Sequence, residues 1–146
     1  MSVEVDLRRA EEDDLTFIKT LLEENDLPHE DIPSEFIHMF KGYAGSEVVG
    51  VGGVELRGKY GLLRSLVIEG PFRGKGYGRS LCEKLIEYSR LKGVVELYAL
   101  TSTPDNIVKK MGFERVDRRD VPQAVQETRQ FTDLCALSAI CWRMRL

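Results

Sequence analysis

The sequence predicts a mixed α/β fold with one central sheet of about six or seven strands flanked by helices. Three observations carry this. Alternating or β-branched runs are interleaved with stretches whose apolar residues recur at helical spacing. A glycine-rich turn joins a strand directly to a helix. The length, 146 residues, suits a single domain read as 1–146. A domain of this size removes roughly 70% of its unfolded surface from water.

The elements follow in order. Val3 to Leu7 alternates apolar and charged residues, as a half-buried strand does. Glu11-Glu12-Asp13-Asp14 places carboxylates at a helix start, where they oppose the positive end of the helix dipole. Leu15, Ile18, Leu21 and Leu22 form that helix's apolar stripe, and Leu27-Pro28 ends it. Pro33 suits the first turn of a second, short helix carrying Phe36, Ile37, Met39 and Phe40 and closed by Gly42, which makes His38 a helix-surface or packed residue. Val48 to Val54 is a β-branched run with glycines, hence a strand with a bulge or a close backbone neighbour. Arg57-Gly58-Lys59 is a turn and Tyr60 to Ile68 the returning strand. A helix from about Arg79 to Lys92 carries Leu81, Cys82, Leu85 and Ile86 and stops at Gly93. Val94 to Leu100 is apolar enough for a buried strand. Thr103-Pro104-Asp105 opens a short helix to Met111, Phe113 to Val116 is a strand, Pro122 starts a helical segment, and Ser138 to Leu146 is a last strand, with Trp142 at an interface edge or in the core.

Composition narrows the function. With 42% hydrophobic and 31% charged residues, the chain is globular rather than disordered. The net charge of −3 argues against a dedicated nucleic-acid binder, and no apolar run spans a bilayer. Residues 1–6 lack a signal peptide's basic and apolar regions, and three cysteines without metal-ligand spacing fit a reducing cytoplasm and no metal site. The charge is uneven: residues 1–35 hold 12 acids and 3 bases, the remainder 12 acids and 18 bases. An anion site in the later part would account for this.

The densest feature is Leu66-Val67-Ile68-Glu69-Gly70-Pro71-Phe72-Arg73-Gly74-Lys75-Gly76-Tyr77-Gly78-Arg79-Ser80. Alternate glycines let backbone N–H groups converge, and the helix start behind them adds unpaired N–H groups and about half a positive charge. Arg73, Lys75 and Arg79 add full charges, so the turn suits a phosphate or pyrophosphate. A Walker loop needs four residues between its first glycine and Gly-Lys, but Gly70 and Gly74-Lys75 are separated by three. The dinucleotide fingerprint has different glycine spacing. Arg64 lies between Leu62 and Leu66 on one strand face. A cation there is costly unless it meets an anion, either a substrate carboxylate or an acidic side chain of the chain itself.

Arg73-Gly74-Lys75-Gly76-Tyr77-Gly78 resembles the signature of the GCN5-related N-acetyltransferases (GNAT), with Leu66-Val67-Ile68 matching the preceding strand and Met111-Gly112-Phe113 the usual Leu-Gly-Phe. Leu62-Leu63-Arg64-Ser65-Leu66, Leu100-Thr101-Ser102-Thr103 and the tail from Val121 to Cys141 are similar to the arsenic-resistance and amino-acid N-acetyltransferase subgroup. The resemblance implies a GNAT fold and acetyl-CoA as co-substrate. Leu66, Val67 and Ile68 would pair with its pantetheine arm, and Arg73, Gly74, Lys75, Gly76, Tyr77, Gly78, Arg79 and Ser80 would hold its pyrophosphate. The N–H of Ile68 would serve as oxyanion donor. The family's usual acid and bases do not transfer: Val108 stands where a Tyr is common, Thr101 where an Asn is, and Leu62 near a Glu. Glu69, Tyr98, Thr101 and Ser102 remain as positional candidates. The implied activity is direct acetyl transfer to the primary amine of a small molecule, an amino acid or analogue, with Arg64 on its carboxylate. The alternatives are a protein or peptide acetyltransferase drawing a basic peptide to the acidic N-terminal region, and a silent CoA-binding module. Family precedent adds a homodimer as an expectation.

Overall fold

A computed structural model describes residues 3–146; Met1 and Ser2, the start of the segment read as lacking a leader, lie outside it. Seven strands form one sheet in the order β1-β2-β3-β4-β5-β7-β6, with β1 Asp6–Arg9, β2 Ile37–Ala44, β3 Glu47–Arg57, β4 Tyr60–Ile68, β5 Glu96–Thr101, β6 Glu114–Val116 and β7 Ile140–Arg145. Every pairing is antiparallel except β4 with β5. The helices are α1 Leu15–Glu24, α2 Tyr77–Leu91, α3 Ile107–Lys110 and α4 Gln123–Gln126.

The apolar pattern dictates three layers. Leu81, Cys82, Leu85 and Ile86 of α2 pack with Phe40, Val54, Leu63, Leu97 and Trp142. Ile18, Leu21 and Leu22 of α1 pack with Ile37, Met39, Val51 and Val67. Val121, Val125 and Phe131 cover Leu62, Tyr98 and Cys141. Gly52 is where α2 approaches closely: a Cβ there would lie 2.6 Å from Leu85 Cδ1. Among the described residues no helix is long and apolar enough to cross a membrane.

One expected element is corrected. The helix predicted after Pro33 is strand β2, paired residue by residue with β3 from Ile37↔Glu55 to Ala44↔Glu47. Ile37, Met39 and Phe40 fit either period in so short a run, and the ladder to β3 decides. Ile37 and Met39 pack against α1, while Phe40 turns to the α2 cluster. His38, read as helical, is therefore a strand residue, its Nδ1 2.5 Å from Tyr88 Oη on α2. The first strand starts later than expected, at Asp6, and α2 starts earlier, at Tyr77. Trp142 is core: β7 pairs on both sides, with β5 and with β6.

Two irregularities open the sheet. Between Val51↔Val67 and Gly53↔Arg64 the register shifts by one extra residue on β4, a bulge. Within it Ser65 takes the left-handed conformation, with φ 61°. Beyond the bulge, β4 and β5 part. They pair only at Tyr60↔Glu96, Gly61↔Leu97 and Leu62↔Tyr98, leaving Leu63 to Ile68 without partners in β5.

Candidate active site

The parting of β4 and β5 makes a cavity of about 430 Å³. One wall is Leu63 to Leu66, the other Ala99 to Thr103, with Asn106 and Val108 beyond it. Asp26, Leu27 and Pro28 close one end, and Gln130, Leu134, Cys135 and Ala136 close another.

The edge of β4 facing this gap carries hydrogen-bonding groups. Glu69 N–H donates to Val49 O at 2.9 Å. By the two-residue alternation, Ile68 then turns its own N–H and C=O away from β3. Past Ile68 the chain makes a turn at Gly70–Phe72 and enters α2 through Gly74 and Gly76, with φ of 76° and 90°. Left-handed backbone of this kind costs a residue with a Cβ about 1–2 kcal/mol. No side chain caps the start of α2, so its first N–H groups point outward unpaired by a cap. Phe72 and Tyr77 brace the two ends of the turn, ring centroids 6.0 Å apart.

The three bases of the turn are placed unequally. Arg73 Nε donates to Ile68 O at 2.8 Å and its Nη2 to Asn25 Oδ1 at 3.0 Å, so this guanidinium ties the turn to the end of α1. Arg79 pairs with Glu83 at 3.2 Å on the surface, an exchangeable contact. Lys75 makes no ion pair among the described residues. Ser80 is buried, and its Oγ accepts Val5 N–H at 2.9 Å; that hydroxyl anchors the approach to β1 instead of facing the turn.

Of the side chains singled out for chemistry, the structure brings Arg64, Leu66, Thr101 and Ser102 to the cavity. It keeps the other two away. Glu69 lines a separate shallow hollow with Asp14, Phe17 and Lys41. Tyr98 is core beside Leu62 and Phe131; burial, with Glu96 beside it, pushes its phenol up to about 12. Val67 packs against α1. Thr101 has its hydroxyl fully engaged: it accepts from Trp142 Nε1 at 2.8 Å and Asn106 Nδ2 at 3.3 Å, and donates to Thr103 O at 2.9 Å.

Of the two anions the sequence allows Arg64, the structure supplies the internal one. Asp31 takes both ends of the guanidinium, at 2.5 and 2.6 Å. Glu55 lies 3.3 Å from Nη1 and also holds Arg57 at 2.6 Å, and Nε donates to Ser65 Oγ at 3.1 Å. Asp31 draws the segment after α1 onto the bulge of β4. A second arginine holds the opposite wall: Arg118 donates to Phe131 O at 3.0 Å and Leu137 O at 3.3 Å and lies over the Phe131 ring.

Asn106 and Gln130 are lining residues that lay outside the sequence reading of the chemistry. Asn106 signals itself as an N-cap, its side chain accepting from Lys109 N at 3.0 Å. Cys135 lines the wall, and burial pushes its thiol up against the opposing pull of Arg64 and Arg118. That leaves it protonated and a poor nucleophile at neutral pH. Gln130 carried no signal in the sequence.

The family model for the acetyltransferase (GNAT) family matches residues 5–113. Over 63 residues the chain is 35% identical to an uncharacterized N-acetyltransferase, CT2212, of Chlorobaculum tepidum; the stretch covers 43% of this chain and 40% of that protein. The fold is shared with Rv2747 of Mycobacterium tuberculosis, crystallised with CoA and NLQ, at a TM-score of 0.76 and 17% identity over 97% of this chain and 99% of that one. N-acetylglutamate synthase of Neisseria gonorrhoeae, crystallised with coenzyme A and L-arginine, superimposes at 0.79 and 19% identity over 99% of this chain and 34% of that one. PaiA N-acetyltransferase of Thermoplasma acidophilum, with coenzyme A, gives 0.69 and 15% over 99% and 100%.

Proposed function

The chain belongs to the acetyltransferase (GNAT) family, and we propose that it moves an acetyl group from acetyl-CoA to the primary amine of a small molecule, an amino acid or an analogue of one. One observation carries the reading: the unpaired edge of β4 runs straight into an uncapped helix start through two left-handed glycines. That continuous line of backbone groups fits an extended amide-bearing arm ending in a diphosphate. Support for an amino-acid acceptor comes from fold neighbours: N-acetylglutamate synthase has been crystallised with N-acetyl-glutamate as well as with L-arginine.

In this reading the first N–H groups of α2 and those from Arg73 to Gly78 bind the diphosphate, with Lys75 and the exchangeable Arg79 adding charge. The edge groups of Leu66 hold the arm, the Ile68 carbonyl being taken by Arg73, and the N–H of Ile68 faces the negative charge that develops on the thioester oxygen, a contribution of about 2.7–4 kcal/mol in comparable sites. The amine attacks directly, with no acyl group on the protein. Ser102, which lines the cavity and is exposed, relays the proton lost by the attacking amine to water or the departing sulfur in this reading. Glu69 and Tyr98 have no part in it. Arg64, bound to Asp31, acts as a positioning residue. Three free cysteines suit a reducing cytoplasm.

Calorimetric titration with acetyl-CoA, followed by thiol release in the presence of free amino acids, amines and peptides, tests this. Binding in the micromolar range and release with small amines is the expected result. No heat at millimolar acetyl-CoA overturns the reading. Release only with peptides reassigns the acceptor, and tight CoA binding without any turnover makes the chain a silent CoA-binding module.

A further inference from the structure

Seven polar or charged residues among those described are buried: Glu55, Arg64, Ser65, Ser80, Ser89, Thr128 and Gln130. Six have side-chain hydrogen bonds. Glu55, Arg64 and Ser65 bond within their own cluster. Ser80 accepts from Val5 N, Ser89 donates to Leu85 O and Thr128 to Val125 O. Gln130 is the exception: it is 4% exposed, and its carboxamide has no hydrogen-bond partner among the described residues. It lines the cavity between β4 and β5. Its polar atoms are not sealed off, since Arg143 Nε is the fully enclosed side-chain polar atom without a partner among the described residues, so the open donors and acceptor of Gln130 mark where a ligand's polar group can bind.

The chemistry of that group follows from what else is present. Arg64 is the cation lining the cavity, and its guanidinium is committed to Asp31 and Glu55, so it offers a ligand no charged fork. The amine nitrogen cannot accept the carboxamide's N–H, because its lone pair must face the thioester carbon; its own N–H groups can at most donate to Gln130 Oε1. An oxygen elsewhere on the acceptor has to receive the carboxamide's N–H.

We propose that Gln130 is the specificity-determining residue of the acceptor site: its Nε2–H donates to a carbonyl-type oxygen next to the acceptor amine, so that amino acids and amino-acid amides are both taken, while amines lacking that oxygen are disfavoured. This rests on the acetyltransferase reading above. An uncharged donor accepts a carboxylate or an amide oxygen, whereas a free arginine would favour the carboxylate strongly. The site is held rigid for the task, since Arg118 fixes the carbonyls of Phe131 and Leu137 on the same segment.

The test uses three amines of matched aliphatic body, suited to the Leu63, Leu66 and Leu134 lining: leucine, leucinamide and 3-methylbutylamine. The wild-type chain is expected to give kcat/KM for the first two within about tenfold of each other, and at least about tenfold lower for the third. Gln130→Met, of similar volume, should raise KM for leucine and leucinamide about tenfold with kcat nearly unchanged, bringing all three together. Gln130→Glu should hurt leucine more than leucinamide, a reversal that a packing defect cannot produce. Acetyl-CoA affinity is measured on each protein. Its absence in the wild type sinks the acetyltransferase reading itself. With affinity retained, equal selectivity in wild type and Gln130→Met, or no turnover of any of the three beside turnover of other amines, overturns the assignment of Gln130 alone; no turnover of any amine sinks the acetyltransferase reading with it. If Gln130→Met does not fold, Gln130→Asn, which keeps both polar atoms one methylene further back, should raise KM for leucine and leucinamide together; an unchanged KM overturns the assignment.

Discussion

Asp31 closes on Arg64 through two parallel hydrogen bonds, Oδ2 to Nη1 at 2.5 Å and Oδ1 to Nη2 at 2.6 Å, with both side chains buried. Bidentate geometry of this kind links the segment after α1 to the bulge of β4, two elements that share no strand pairing. It also explains how an arginine is accommodated in an otherwise apolar strand: the anion it requires is the chain's own.

Breaking that pair leaves a buried cation held by Glu55 alone. Asp31→Ala should therefore destabilise the fold by about 3–5 kcal/mol. Because Asp26 to Pro28 wall the cavity on the same segment, the variant should also raise KM for the amine and leave acetyl-CoA affinity near the wild-type value. Thermal unfolding and the two binding constants check this. A wild-type melting curve would show that the pair holds nothing in place.

Gly74 and Gly58 share a conformation and differ in place. Their φ values are 76° and 64°, and a Cβ added at either meets nothing within 4 Å. Alanine at each should cost about 1–2 kcal/mol of backbone strain. Only Gly74→Ala should weaken acetyl-CoA binding, by about tenfold if one backbone contact is lost; Gly58→Ala, in the β3–β4 turn, should bind as the wild type does. Equal affinities in the two variants would remove the turn from the CoA site.

Thr101 is bonded to the chain's one tryptophan, so its role can be read by fluorescence. Thr101→Val strands the indole N–H and should cost about 1–3 kcal/mol, with a shifted emission maximum. Turnover, measured below the melting transition, should persist, because a hydroxyl already donating to Thr103 O moves no proton for the reaction. Loss of turnover in a folded Thr101→Val protein would return Thr101 to the chemistry.

His38 gives the fold a pH dependence with a definite sign. Burial, then the positive charges of Arg9 and Lys92, lower its pKa below 6.5. The unfolded chain therefore binds the proton first, so stability is full above the ordinary histidine value and falls as the pH drops from there toward the folded value. The melting temperature of the wild type relative to His38→Gln should decline between about pH 7 and about pH 5. A constant difference across that range would show that His38 does not titrate differently in the two states.

Much of the fold was legible in the residue pattern. The stripe of α1, the turn at 57–59, strand β4 and helix α2 stand where their residues place them, because each is set by neighbours within one or two turns of chain. Strand β2 was not legible. Ile37, Met39 and Phe40 satisfy both periods in so short a run, and the choice belongs to β3, which pairs with it from Ile37 to Ala44. The active site divides in the same way. Gly74, Gly76 and the start of α2 could be read from spacing; the exclusion of Tyr98 and Glu69 from the cavity could not, because the face a strand residue occupies depends on what packs above it.

By itself, then, the amino-acid order determined the strand–turn–helix unit from Leu66 to Ser80 and with it the family, since glycine positions and an uncapped helix start are local properties of the chain. Tertiary structure decided who meets whom. Arg64 needed an anion by its burial, but Asp31, 33 residues away, became that anion only when the segment after α1 folded across the β4 bulge. Gln130 acquired its open carboxamide the same way, because whether a buried polar group is satisfied is a property of the packed molecule and not of the sequence around it.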